Sequence, residues 1–362
     1  LSSEREAEKA AFLQAAGLRS VRREPLTGDA STRRYERLHL ADRTLIFMDQ
    51  PPSVETSPCP PGATPAEREA LGYNALARLA AGRVDAFIAT AGWLREQGLS
   101  APAVLHADPA RGLAVLEDLG DDLYARLIEQ GQDEAPLYDD AISALVRMHQ
   151  VEPPPVLTYD GAAWPLLTYD DLALKTGGEI ILEWLPKLKP ELSFDAEAAA
   201  AWEAIWAPIR RRGEDGARVF CHRDYHAENL IWLPDREAAA RVGLLDFQDA
   251  LKAHPAWDMS MLLHDARRDV SAAIEARSLD RYLALRPEVD RAQFLADYHA
   301  LGALNVSRII GIFARLVTRD AKPRYAAFMP RLWTYLDRCL ADPALGELKA
   351  WFDRHVPAGS RT

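Results

Sequence analysis

Between Cys221 and Trp232 the chain reads CHRDYHAENLIW, and seventeen residues after Asn229 a second apolar run ends in LLDFQD, which places Asp246. These residue types suit phosphoryl transfer. One carboxylate takes the proton of an attacking hydroxyl, while an amide oxygen and a second carboxylate hold Mg2+ against nucleotide phosphates. The spacing H-R-D-x-x-x-x-N followed by D-F supplies all three groups in that order. It makes Asp224 the candidate catalytic base, and Asn229 and Asp246 the candidate metal ligands.

Two other readings compete for the same stretch. Cys221, His222 and His226 are zinc-ligand types, but histidines four apart chelate one ion only on a shared helix face, and the flanks RVF and LIW are β-like. A solvated turn would also be rich in Asp and Asn. The recurrence of an aspartate at the end of a second strand-like run, at Asp246, counts against that. In the phosphoryl-transfer reading His222 and Cys221 pack or hydrogen-bond in support of the loop.

Several elements must position these groups. The charged start LSSEREAEKAAFLQAAGL has the pattern of an amphipathic helix. β-rich runs at 34–40 and 44–49 flank an Ala41-Asp42 turn and predict a hairpin. The stretch PPSVETSPCPPGATP, 51–65, holds six of the chain's 24 prolines and predicts a surface loop or lid. Helical patterns follow over 66–78 and 85–97, then two strands in APAVLHAD and GLAVLEDLG. From Leu123 onward helices dominate, broken by the short strands around the motif. The expectation is an α+β, bilobal chain: a mixed sheet-and-helix N-terminal lobe over 1–118 and a mostly helical C-terminal lobe over 119–362.

Composition narrows the partner. The 362 residues are 48% hydrophobic and 27% charged, as in an ordinary globular protein. Fifty-four acidic against 43 basic residues give a net charge of −11, which repels nucleic acid and anionic membrane surfaces and favours a small-molecule partner. Three cysteines, odd in number and far apart, argue against a disulfide framework and for a reducing, cytoplasmic setting. No run of eighteen uninterrupted apolar residues occurs, and the start does not read as a signal peptide. Because the sequence opens on Leu1 and not Met, an earlier segment stays open. No obligate protein partner and no internal repeat is evident.

With these motifs in hand, the chain resembles the aminoglycoside phosphotransferase and choline kinase group of small-molecule kinases. The resemblance runs from the small-residue loop and hairpin through GLAVLEDLG, CHRDYHAEN and LLDFQD to HPAWDMSMLL. Within that group GDASTRRYERL, FMDQPP, LEDLGD, LDFQDAL and GIFARLVTRDAKPRY look like the bacterial anomeric kinases of N-acetylmuramate and N-acetylglucosamine in cell-wall recycling. The resemblance implies a protein-kinase-like fold, ATP and Mg2+, and phosphorylation of a sugar C1 hydroxyl. It implies further that the backbone of Glu117, Asp118 and Leu119 meets the adenine edge and that Asp258 braces the catalytic loop. A helix N-terminal cap is the competing reading of Asp258.

The sequence departs from the protein-kinase pattern twice. Met48 stands where the third strand should carry a phosphate-pairing lysine. Arg33 and Arg34, directly after the small residues Gly28, Ala30, Ser31 and Thr32, are the candidate replacements, since a guanidinium can grip phosphate through two N–H groups. Their competing reading is a solvated basic strand face. Gln248 replaces the glycine of D-F-G and suggests a fixed segment in place of a flipping switch.

Sugar contacts are the least legible. Glu183, Trp184, Asp170 and Asp171, with Tyr169, lie where this fold carries its substrate insert, although Trp184 also suits a core position. Two function classes stay open beside the sugar kinase: a kinase of the same fold acting on an aminoglycoside or other amino alcohol, and, given Met48, an inactive nucleotide-binding module. A hydrolase is disfavoured by the lack of a G-x-S-x-G elbow, as is a Walker-type NTPase by the lack of its loop.

Overall fold

The computed structural model describes residues 3–26, 33–51 and 57–362. The small-residue loop with Gly28, Ala30, Ser31 and Thr32, and the middle of the proline-rich stretch at 52–56, lie outside the described residues. In chain order the elements are α1 (Ser3–Ala15), β1 (Arg22–Leu26), β2 (Arg34–His39), β3 (Thr44–Asp49), α2 (Pro65–Leu71), α3 (Tyr73–Leu76), α4 (Val84–Glu96), β4 (Val104–Asp108), β5 (Leu113–Glu117), α5 (Tyr124–Glu129) and α6 (Glu134–Gln150). They continue with β6 (Val156–Tyr159), β7 (Ala162–Pro165), α7 (Asp171–Leu188), α8 (Ala196–Asp215), β8 (Val219–Cys221), β9 (Leu230–Trp232), β10 (Val242–Leu244), β11 (Leu251–Ala253), α9 (Ala256–Leu263), α10 (Ala272–Leu285), α11 (Arg291–Thr318), α12 (Met329–Cys339) and α13 (Gly346–His355). The fold is mixed α+β, with an N-terminal antiparallel sheet and a mostly helical remainder.

By internal contacts the chain divides into two compact units, each discontinuous in sequence: 1–131 with 153–166 and 228–250, and 132–152 with 167–227 and 251–362. The first unit is built on a five-stranded sheet in the order β1-β2-β3-β5-β4, all neighbours antiparallel. Strand alternation sends Leu38, Leu45, Phe47, Leu113 and Val115 to one face, where they pack with Leu13 and Leu18 in and just after α1. The opposite face carries Tyr35, Met48 and Ala114 in one register row. Met48 is fully buried there, so apolar packing occupies the position of the expected lysine.

Three local features depart from the sequence expectations. β1 adds an edge strand to the predicted hairpin; Pro25 within it donates no ladder bond, which only an edge tolerates. The single helix expected over 66–78 is two, because Gly72 at φ +87° ends α2. The β6–β7 hairpin interrupts the helical stretch, turning on Asp160 and Gly161, both at positive φ as a two-residue hairpin turn demands. A Cβ on Gly92 of α4 would lie 1.9 Å from the Tyr159 ring, so a bare backbone lets that hairpin dock.

The second unit is helical around the short β8–β11 ladder. Asp133, Asp170, Asp195, Ser271 and Asp290 each cap a helix by accepting a first-turn N–H. α7 begins at Asp171 and runs through Gly177 and Gly178 as helix. Those glycines, with Gly311 of α11, bring the two helices into close approach: a Cβ on Gly311 would lie 2.5 Å from the Ile181 nitrogen. α11 is apolar and long enough to cross a bilayer, yet 72% of its apolar window is buried inside the protein. It is a core helix of this unit.

Candidate active site

In the second unit the motif loop leaves β8, which is pinned to β11 by the pairing of Cys221 with Leu251. Residues 221–223 and 225–227 are buried; Asp224 between them is half-buried. The loop backbone is held from α9. The fully buried Asp258 carboxylate accepts the His222 N–H at 2.7 Å, the Arg223 N–H at 2.9 Å and the Cys221 thiol at 3.2 Å. Asp258 does not cap its helix, whose N-cap is Pro255.

Burial alone would raise the Asp258 carboxyl, but interaction with His149, the neighbouring His222 and the Cys221 hydrogen bond hold it below the usual carboxylate range. His149 Nε2 lies 3.8 Å from Asp258 Oδ2 and its Nδ1 is 2.8 Å from the Tyr282 hydroxyl. Burial lowers the His149 pKa despite that neighbour, so the negative charge on Asp258 is met mainly by dipoles from the loop it supports. His149 and Tyr282 went unread in the sequence, since a histidine at a helix end and a tyrosine over a hundred residues later carry no spacing signal.

Around this core Arg223 adopts φ +79°, a left-handed conformation costly for a non-glycine residue. Its guanidinium lies 5.1 Å from the centre of the Tyr169 ring, which meets Trp257 edge-on. The Tyr225 hydroxyl donates to the Ala141 carbonyl at 2.8 Å, and Arg267 Nη1 is 3.3 Å from His226 Nε2. Cys221 is buried and its thiol is pushed well above its ordinary pKa by burial and the Asp258 charge, so it is no thiolate ligand. Among the described residues no three His, Cys, Asp or Glu side chains gather as a metal site.

Asn229 and Asp246 belong to the first unit, at the ends of the β9–β10 hairpin. The Leu245 N–H donates to the Asn229 carbonyl at 2.9 Å, tying the two positions together. Asp246 has φ +60° and a side chain 44% exposed. Phe247 turns inward against Phe87, ring centres 4.8 Å apart, and Asp249 accepts the Ala80 N–H at 2.6 Å. An amide and one carboxylate are hard oxygen donors that fit Mg2+ with positions left for phosphate and water, and they do not make an all-protein cage.

Arg33 is the basic residue of the pair that reaches this segment. Its Nη2 lies 2.8 Å from Asp246 Oδ1 and its Nη1 donates to Gln248 Oε1 at 2.7 Å and to the Tyr35 hydroxyl at 3.3 Å. Arg34 is exposed on the sheet face that packs α1, opposite Asp49. At the end of β5, Glu117 pairs with Arg95 and Arg236, and Asp118 pairs with Arg37. Leu119 is buried, so the side chains of this segment are all engaged within the protein.

The candidate sugar contacts are all placed on or beside α7, each with a local partner. Asp170 caps the helix, Asp171 pairs with Arg210 at 2.9 Å and Glu183 with Lys187 at 2.9 Å. Trp184 is half-buried beneath the Lys187 ammonium, 3.8 Å from its ring centre.

A family model described as the phosphotransferase enzyme family matches residues 22–295. An N-acetylmuramate/N-acetylglucosamine kinase of Caulobacter vibrioides is 74% identical over 361 residues, covering 100% of this chain and 99% of that protein. One of Pseudomonas aeruginosa is 30% identical over 333 residues, 90% of this chain and 86% of that protein. A choline/ethanolamine kinase family protein from Mesorhizobium loti, 16% identical, superposes with a TM-score of 0.56 over 96% of this chain and 98% of its own, a likeness of fold. This chain therefore belongs to the phosphotransferase enzyme family and is an enzyme that transfers a phosphoryl group to an alcohol acceptor.

Proposed function

We propose that this enzyme is an ATP-dependent sugar kinase that phosphorylates the anomeric C1 hydroxyl of N-acetylmuramate, N-acetylglucosamine or both. The observation that carries the reading is the half-buried Asp224, the one position of 221–227 that is not buried, in a loop whose amides are held by Asp258. The 74% identity to a kinase named for these sugars supports the choice of substrate. The setting is cytoplasmic salvage of cell-wall amino sugars. Functionally, 1–118 acts as the nucleotide-binding lobe and 119–362 as the catalytic and substrate-binding lobe.

In this mechanism Asp224 orients the C1 hydroxyl and accepts its proton as the oxygen attacks the γ-phosphorus in line, with ADP leaving. Asn229 and Asp246 would hold Mg2+, which when bound would neutralise phosphate charge. Arg33 takes the part of the missing strand lysine, with the small residues Gly28, Ala30, Ser31 and Thr32 letting backbone amides approach the phosphates. The backbone of Glu117, Asp118 and Leu119 receives the adenine. The hydroxyl attacks directly, with no phosphoenzyme between.

The test is 31P and 13C NMR of the product formed from ATP and each sugar. Phosphorus coupled to C1 is the expected result. Phosphate on C6, or turnover with kanamycin or choline in place of both sugars, overturns the assignment of acceptor.

A further inference from the structure

Gln248 is 5% exposed and its amide closes a triangle with two charged groups. Oε1 accepts from Arg33 Nη1 at 2.7 Å, Nε2 donates to Asp246 Oδ1 at 3.0 Å, and Arg33 Nη2 meets that same Oδ1 at 2.8 Å. A weaker contact runs from Nε2 to Asp249 Oδ2 at 3.4 Å. The chemistry of the neighbours settles the amide's orientation. A guanidinium only donates and a carboxylate only accepts, so the oxygen must face Arg33 and the nitrogen Asp246.

No other side chain of this length satisfies both neighbours. Glutamate would accept from Arg33 but repel Asp246, lysine would do the reverse, and glycine would hold neither. The arrangement matters because Arg33 already engages the carboxylate that would also hold the metal. Were the Asp246 carboxylate to hold a cation, its contact with Arg33 would weaken, while Gln248 Oε1 and the Tyr35 hydroxyl would still hold the guanidinium in place.

We infer that Gln248 is a positioning residue that keeps Arg33 aimed at the nucleotide phosphates while Asp246 is occupied by the metal. The inference rests on the proposed nucleotide and Mg2+ roles of Arg33 and Asp246. Its effect belongs to ATP and not to the sugar.

The experiment measures ATP-Mg2+ affinity by calorimetry, with the KM for ATP and for sugar, on the whole chain and on Gln248→Leu, Gln248→Glu, Arg33→Ala and the double variant Arg33→Ala/Gln248→Leu. Thermal melting reports that each folds. Gln248→Leu is expected to weaken ATP-Mg2+ about tenfold, the scale of one lost hydrogen bond to a charged group. It should leave the sugar KM within about twofold. Gln248→Glu keeps the acceptor for Arg33 and is expected to recover most of that affinity at saturating Mg2+. In the Arg33→Ala background the leucine substitution should add less than about twofold, since a residue acting through Arg33 has nothing left to position.

Equal ATP affinity for wild type and a folded Gln248→Leu, additive losses in the double variant, or an equal rise in both KM values would each overturn the inference alone. Absence of ATP-Mg2+ binding by the wild-type protein would overturn the proposed nucleotide site itself, and this inference with it.

Discussion

Asp258 accepts the N–H groups of two successive residues, at 2.7 Å from His222 and 2.9 Å from Arg223, so one buried carboxylate fixes the peptide that leads into Asp224. Removing it strands those two donors and the Cys221 thiol in a dry interior. Asp258→Ala is expected to lower stability by roughly 2–4 kcal/mol, read from urea unfolding, and to lower kcat more than either KM. Asp258→Asn keeps the volume but turns an N–H group toward a donor, and should fold with most of the activity lost.

Asp224→Asn removes the proton acceptor and keeps the shape. The expected result is a fall in kcat of about 10²–10⁴-fold with ATP affinity within about threefold of wild type. A variant near the wild-type rate would show that Asp224 is not the base. Asn229→Ala and Asp246→Ala should instead raise the Mg2+ concentration needed for half-maximal rate.

Glu275 is held at about 2: burial pushes it up, but hydrogen bonds from His264 and Tyr298, and the nearby Arg338, outweigh that. A carboxyl whose folded pKa lies below its unfolded value of 4.5 adds stability above that value and loses it as pH falls towards 2. That stabilisation is roughly 3 kcal/mol near neutral pH. Unfolding free energy measured at pH 7 and pH 3 should therefore drop for wild type, and Glu275→Gln should show a smaller drop from a lower starting value.

Gly311 has backbone atoms of α7 where a side chain would go, with Ile181 N at 2.5 Å and Ile180 C at 2.7 Å from an added Cβ. Backbone cannot swing aside as a flexible side chain does. Gly311→Ala should cost roughly 1–3 kcal/mol in unfolding experiments. Gly346→Ala, with nothing within 4 Å of the added carbon, is the matched control and should be neutral or slightly stabilising.

What the sequence determined by itself were the features written in local spacing. The D-x-x-x-x-N and D-F intervals, the β2–β3 hairpin, the amphipathic α1 and the kinase-like resemblance all follow from a few consecutive residues or from short-range alternation. The turn at Asp160-Gly161 was equally local and signals a hairpin, yet helical surroundings masked it. Tertiary structure decided whatever depends on partners far apart in the chain. Arg33 and Gln248 lie over two hundred residues apart, and only folding shows that Arg33, not the adjacent Arg34, reaches Asp246. Strand alternation puts neighbouring residues on opposite faces of a sheet, but which face meets α1 is set by packing. For the same reason Asp258 could be read as a helix cap or a loop brace until its carboxylate had a direction, and the need for glycine at 311 shows only where α11 meets the backbone of α7.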